Sequence, residues 1–226
     1  MDTPQADTPQ TDTPQVKKSQ VDKPENAEEY INTLRQQLAG NADCGTTHYN
    51  LGVALIGQKK YDEAKMELEE SVRCSPTLAE AYVQLGGLCL QEGDMDGCLA
   101  YNEKSVKTRA GFSEGYGNIG FLQLQKGNID EAIKALQKAI AFNSSFIQAY
   151  TTLGTAYLMK GLVEESIQAN LKVLSLEPTF AIAHNNLTIG YLEKGDHQKA
   201  IEHCDKAIEY GYNVASEIIK EIDSYR

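Results

Sequence analysis

Four histidines and five cysteines are the side chains here whose types suit metal binding or nucleophilic chemistry. Their spacing argues against both. His203 and Cys204 are neighbours in sequence, and adjacent residues on a helix do not share a face; the pair also lacks zinc-ligand spacing. Cys44, Cys74, Cys89, Cys98 and Cys204 are odd in number and contain no CxxC pair, which fits a reducing cytoplasm. Cys89 and Cys98 read as small core hydrophobes, with nothing nearby to activate either thiol. The stretch Gly111–Gly120, GFSEGYGNIG, is glycine-rich, but it opens a helix without the preceding strand that a phosphate-binding loop needs. No Walker, HExxH or GxSxG motif occurs. The expectation is a chain with no catalytic residue, no cofactor and no metal, so not an enzyme.

What positions these residues is a repeat. The pair Leu51-Gly52 returns every 34 residues as Leu85-Gly86, Ile119-Gly120 and Leu153-Gly154, and as Leu187-Thr188 in the last copy. A period of this length with this pair reads as a helix-turn-helix array. Five copies follow without insertion: 45–78, 79–112, 113–146, 147–180 and 181–214. Each reads as two short helices. The turn between them carries Gly93, Gly127, Gly161 or Gly195, and Lys59 in the first copy. The second helix carries a small residue where helices approach closely (Ala64, Cys98, Ala132, Ser166, Ala200). Seven residues on stands a second small or β-branched one (Ser71, Ser105, Ala139, Val173, Ala207). Residues 26–40 read as an N-terminal capping helix, started by Asn26, and 214–226 as a C-terminal one whose polar side faces water. Residues 1–25, with three rounds of Asp-Thr-Pro-Gln, have almost nothing to bury and read as a disordered tail.

The quoted residues resemble the tetratricopeptide repeat, whose pattern is W-x2-L-G-x2-Y, then A-x3-F, then P. Tyr150-x2-Leu153-Gly154-x2-Tyr157 carries the first half and Ala132-x3-Leu136 the second. His48 and His184 stand in the Trp place, where a packing aromatic is expected. Asn102 and Asn170 occupy the large-hydrophobe place of the second helix. The second repeat has Ala110 and the third Ser144 instead of the closing Pro, so looser packing is expected in those repeats, with the second the least stable. The resemblance implies an all-α fold, a right-handed superhelical solenoid whose first helices line a concave face. It further implies that the second, fifth, sixth, ninth, twelfth and thirteenth residues of each repeat point inward.

At those places this chain has its own chemistry. The sixth reads Asn50, Gln84, Asn118, Thr152, Asn186, and side-chain amides pair with peptide backbone whatever its sequence. Asn is also common at this place in the family through contacts between neighbouring repeats. Tyr49, Val53, Val83, Phe121 and Ile189 add apolar surface between them. The only inward charges are Glu80, Glu114 and Glu193, and none is basic. Family members that clamp a C-terminal carboxylate use inward Lys and Arg; here Glu114 and Asn118 stand in such places, which disfavours a carboxylate ligand.

Composition narrows the partners further. A net charge of −11 argues against nucleic acid and anionic membrane, which select basic surfaces. No apolar run approaches a membrane span, and the first 30 residues lack the apolar run of a secretory signal, so a cytoplasmic location is expected. The expected function is non-catalytic capture of a protein or peptide segment, extended or helical, in a neutral, amide-lined groove. Such a segment would be neutral to mildly basic or amphipathic. The alternative is a scaffold or assembly factor that self-associates, as a homo-oligomer, or organises a complex through its convex face or ends.

Overall fold

The computed structural model describes residues 26–226; the tail expected at 1–25 lies outside the described residues. The helices start where side chains satisfy free backbone N–H groups. Asn26 accepts from Glu29 N at 2.8 Å and opens α1 (Ala27–Gly40). Asp94 does the same for Gly97 N at 2.8 Å, as a short polar side chain at this position should.

Five helix pairs follow α1. They are α2 (Gly45–Gly57) with α3 (Tyr61–Cys74), α4 (Ala79–Gln91) with α5 (Met95–Thr108), and α6 (Ser113–Gln125) with α7 (Ile129–Phe142). Then come α8 (Ile147–Met159) with α9 (Val163–Leu176), α10 (Ala181–Lys194) with α11 (His197–Glu209), and a final short helix, α12 (Ser216–Asp223). The two helices of each pair join through a single left-handed residue. Gly93, Gly127, Gly161 and Gly195 have φ of 80°, 78°, 76° and 77°. Lys59 holds the same turn at φ 59°, where a Cβ is disfavoured.

Within a pair the helices approach closely at the Leu-Gly element. A Cβ added at Gly52 or Gly120 would sit 2.7 or 2.5 Å from Cγ of Leu68 or Leu136. Ala64, Ala132, Ser166 and Ala200 are fully buried on the facing helix, and Leu51, Leu85, Leu153 and Leu187 fill the seam between them. Exposed ion pairs recur between successive repeats: Lys126–Asp96 at 2.5 Å, Lys160–Asp130 at 2.6 Å and Lys194–Glu164 at 2.9 Å. Exposure limits each to a small contribution.

Successive first helices touch, α4 with α6, α6 with α8 and α8 with α10. That closeness places them on the inner side of the curve. The chain is an all-α, right-handed superhelical solenoid. Among the described residues no helix is long and apolar enough to cross a membrane.

Candidate functional site: the inner groove

The inner face is built by α2, α4, α6, α8 and α10, and two cavities open along it. The first, of about 190 Å³, gathers Tyr49, Val83 and Gln84 with Glu80, Arg109, Phe112 and Glu114. The second, of about 130 Å³, gathers Asn118, Phe121 and Thr152 with Gly117, Phe146 and Gln148. Six of the ten groove residues expected from sequence therefore meet in two clusters. Asn50, Val53, Asn186 and Ile189 border neither cavity. Val53 and Phe121 are 38% and 40% exposed, large apolar surfaces in a concavity.

The first cavity is electrostatically unbalanced. Arg109 Nη1 donates to Glu80 Oε1 at 2.6 Å, and its guanidinium lies 4.0 Å over the Phe112 ring centre. The other carboxylate oxygen, Glu80 Oε2, is buried and accepts no hydrogen bond. Glu114 shares the wall and accepts from Ser113 Oγ at 2.9 Å. Burial, reinforced by the charge of Glu80, pushes the Tyr49 phenol up from its ordinary value, and a hydrogen bond with Gln84 works the other way. A buried oxygen without a donor costs free energy, so the cavity favours a ligand that brings an N–H or O–H.

The amide places divide. Asn118 Nδ2 donates to Asn102 Oδ1 at 2.9 Å, and Asn186 Nδ2 donates to Asn170 Oδ1 at 3.2 Å. Asn186 is only 7% exposed. Thr152 Oγ1 donates to the Gln148 carbonyl at 2.8 Å. Asn102 and Asn170 are fully buried, and each also donates to its own helix, to Cys98 O at 2.8 Å and Ser166 O at 2.9 Å.

Three contributors escaped the sequence reading. Arg109 brings a cation into a groove whose inward places hold none, because it reaches in from the junction between repeats. Phe112 and Phe146 stand at the last residue of their repeats, just before α6 and α8. Their signal was a column at that place, Leu78, Phe112, Phe146, Phe180 and Val214, large and apolar throughout. Gly117 makes room for one of them: a Cβ there would lie 2.7 Å from Phe146 Cε1.

Both histidines at the fourth place are buried and bonded at both ring nitrogens. His48 meets Glu67 Oε2 at 2.6 Å and the Ala42 carbonyl at 2.9 Å. His184 meets His203 Nδ1 at 2.9 Å and the Pro178 carbonyl at 3.0 Å. Burial raises the thiols of Cys89 and Cys98, the latter to about 11, so neither is a thiolate nucleophile near neutral pH.

The family comparison agrees with this geometry. A tetratricopeptide-repeat model matches residues 46–77 and a second TPR-repeat model matches 122–161. The chain is a tetratricopeptide-repeat protein. Among solved structures, this TPR chain is similar to MamA from Desulfovibrio magneticus RS-1, at 25% identity and a TM-score of 0.65 over 74% of this chain and 95% of that one. It is also similar to YrrB, described as a TPR protein with an unusual peptide-binding site, at 18% identity and a TM-score of 0.69 over 86% of this chain and 99% of that one. The second likeness carries the fold alone. No curated protein sequence matches this chain.

Proposed function

We propose that this TPR protein is a non-catalytic interaction module that holds a neutral to mildly basic segment of a partner protein in its inner groove. The observation that carries the reading is the buried, unpartnered Glu80 Oε2 in a cavity walled by Tyr49, Val83 and Phe112. It fits a side chain with an apolar stem and a donor tip, such as Lys, Arg or Gln, entering beside Glu114. Phe121 receives a neighbouring apolar side chain in the second cavity, and Gln84 offers its amide to the ligand backbone. A ligand carboxylate is disfavoured, since Arg109 is already paired to Glu80 and the remaining charge is negative.

The test is a random-peptide display selection against the whole protein. Enriched sequences should carry a Lys, Arg or Gln next to an apolar residue. Their binding should fall at least tenfold in both Glu80→Gln and Phe121→Ala. Selected peptides that bind both variants as well as the parent would overturn the groove reading.

A further inference from the structure

A sizeable, mostly apolar concavity lies outside the groove. It has a volume of about 450 Å³ and opens between α8 and α9, over Tyr150, Leu153, Tyr157 and Ala169, with Glu164, Glu165 and Gln168 at its rim. It shares no residue with either groove cavity.

Its origin is a missing side chain. At the twenty-third place of the repeats stand Glu67, Tyr101, Ala135, Ala169 and His203. In the first and fifth repeats that side chain faces the aromatic at the fourth place. Glu67 reaches His48 at 2.6 Å, and the His203 ring lies 5.1 Å from that of His184. The third repeat has only Ala135 there, but Phe142 stacks on Tyr116 at 5.8 Å and Lys138 Nζ sits 5.3 Å from the same ring centre. Lys138 and Phe142 are four residues apart on one helix face. In the fourth repeat the aromatic is gone; Lys172 stands at the place of Lys138, but among the described residues no cation lies over the Tyr150 ring. Ala169 leaves the space open, and Leu176, at the place of Phe142, is 36% exposed and does not line the cavity. Among the described residues no ring stacks on Tyr150. Glu164 is paired with Lys194 at 2.9 Å, whereas Glu165 has no ion pair among them.

We propose that this cavity is a second binding site, for a helix of a partner protein that presents an aromatic ring and, four residues before it, a lysine or arginine. The ring would cover Tyr150 as Phe142 covers Tyr116, adding stacking to apolar burial. The cation would lie over the Tyr150 ring as Lys138 lies over Tyr116, with Glu165 beside it. The chain's own third repeat is the template for the occupant, and the acidic rim fixes its charge.

The probe is an alanine-based helical peptide with a single Lys-x3-Phe pair, titrated into the full-length protein while NMR follows the Ala169 methyl and Tyr150 ring signals. Saturable shifts at both are expected, with none from the peptide whose Phe is replaced by Ala. Ala169→Tyr restores the residue of the second repeat, so it should raise the melting temperature and weaken binding at least tenfold. Glu165→Gln should weaken it severalfold and Glu80→Gln leave it unchanged. No shift in the parent protein, or equal binding to Ala169→Tyr, would overturn the proposal. Should Ala169→Tyr fail to fold, an unweakened Glu165→Gln overturns it alone.

Discussion

The first and third repeats are closed by a leucine, and the second and fourth by an asparagine, at one and the same place. Leu68 and Leu136 are fully buried against Gly52 and Gly120. Asn102 and Asn170 are equally buried against Gly86 and Gly154. The backbone frame is the same, but the chemistry of the seam is not. A leucine needs only contact. An asparagine needs partners for its oxygen and both N–H groups, and it finds them in its own helix and in the next repeat. The difference explains why the sixth-place amides are unequal. Asn118 and Asn186 follow the asparagine repeats and donate inward to them. Gln84 and Thr152 follow the leucine repeats and have no such acceptor. The amide row is therefore part stacking device and part ligand surface.

That contrast can be broken most forcefully at Leu136. Leu136→Asn should cost about 3 kcal/mol, through lost apolar burial and an amide left without a cross-repeat partner. Adding Thr152→Asn should return about 1 kcal/mol of it. Urea unfolding of the single and double variants measures both, and a cost near zero would mean that the seam does not discriminate.

A somewhat smaller effect is expected at Asn118. Asn118→Ala removes the donor to Asn102 Oδ1 and should cost about 1–2 kcal/mol of stability. Selected groove peptides should respond less to it than to Gln84→Ala; isothermal titration of both variants decides.

The fifth repeat has Cys204 at the seam and sets its polar pair one residue earlier, in His203 with His184. Burial and then the charge of His184 bring His203 down to about 4, and burial lowers His184 as well. In the unfolded chain both should titrate near 6.5. As pH falls below that value the unfolded state takes up protons first, so stability is full above about pH 6.5 and lost progressively toward about pH 4. The expected loss is on the order of 1 kcal/mol by about pH 5. It should be read as a lower unfolding midpoint that His203→Tyr relieves.

The smallest effect is expected at Asn170→Leu. The leucine seam already works in two repeats, so the change should stay within about 1 kcal/mol, the cost of leaving Asn186 with a single weak acceptor. Differential scanning calorimetry would resolve a loss well beyond that, which would show that the two seams are not interchangeable.

The architecture was legible because each helix pair repeats the same local demands. Gly93, Gly127, Gly161 and Gly195 mark left-handed turns, and the Leu-Gly and small-residue places mark close approach. The groove was legible in part. Tyr49, Val83 and Gln84 lie on neighbouring first helices and do converge, but nothing in their spacing shows that Glu80 would lose a hydrogen-bond partner or that Arg109 would enter from a junction. The apolar column of Phe112 and Phe146 is visible at its period, but it stands at the last residue of each repeat, outside the places expected to point inward.

By itself, then, the sequence determined the repeat, the turns and the helix faces, since these depend on residues within one or two helical turns of each other. Only the tertiary structure decided which amides were free, which carboxylate oxygen was stranded, and that Ala169 left a cavity over Tyr150. Each of those outcomes depends on how one repeat is rotated onto the next, and side chains 16 or more residues apart, such as Asn102 and Asn118, meet only after that rotation is set.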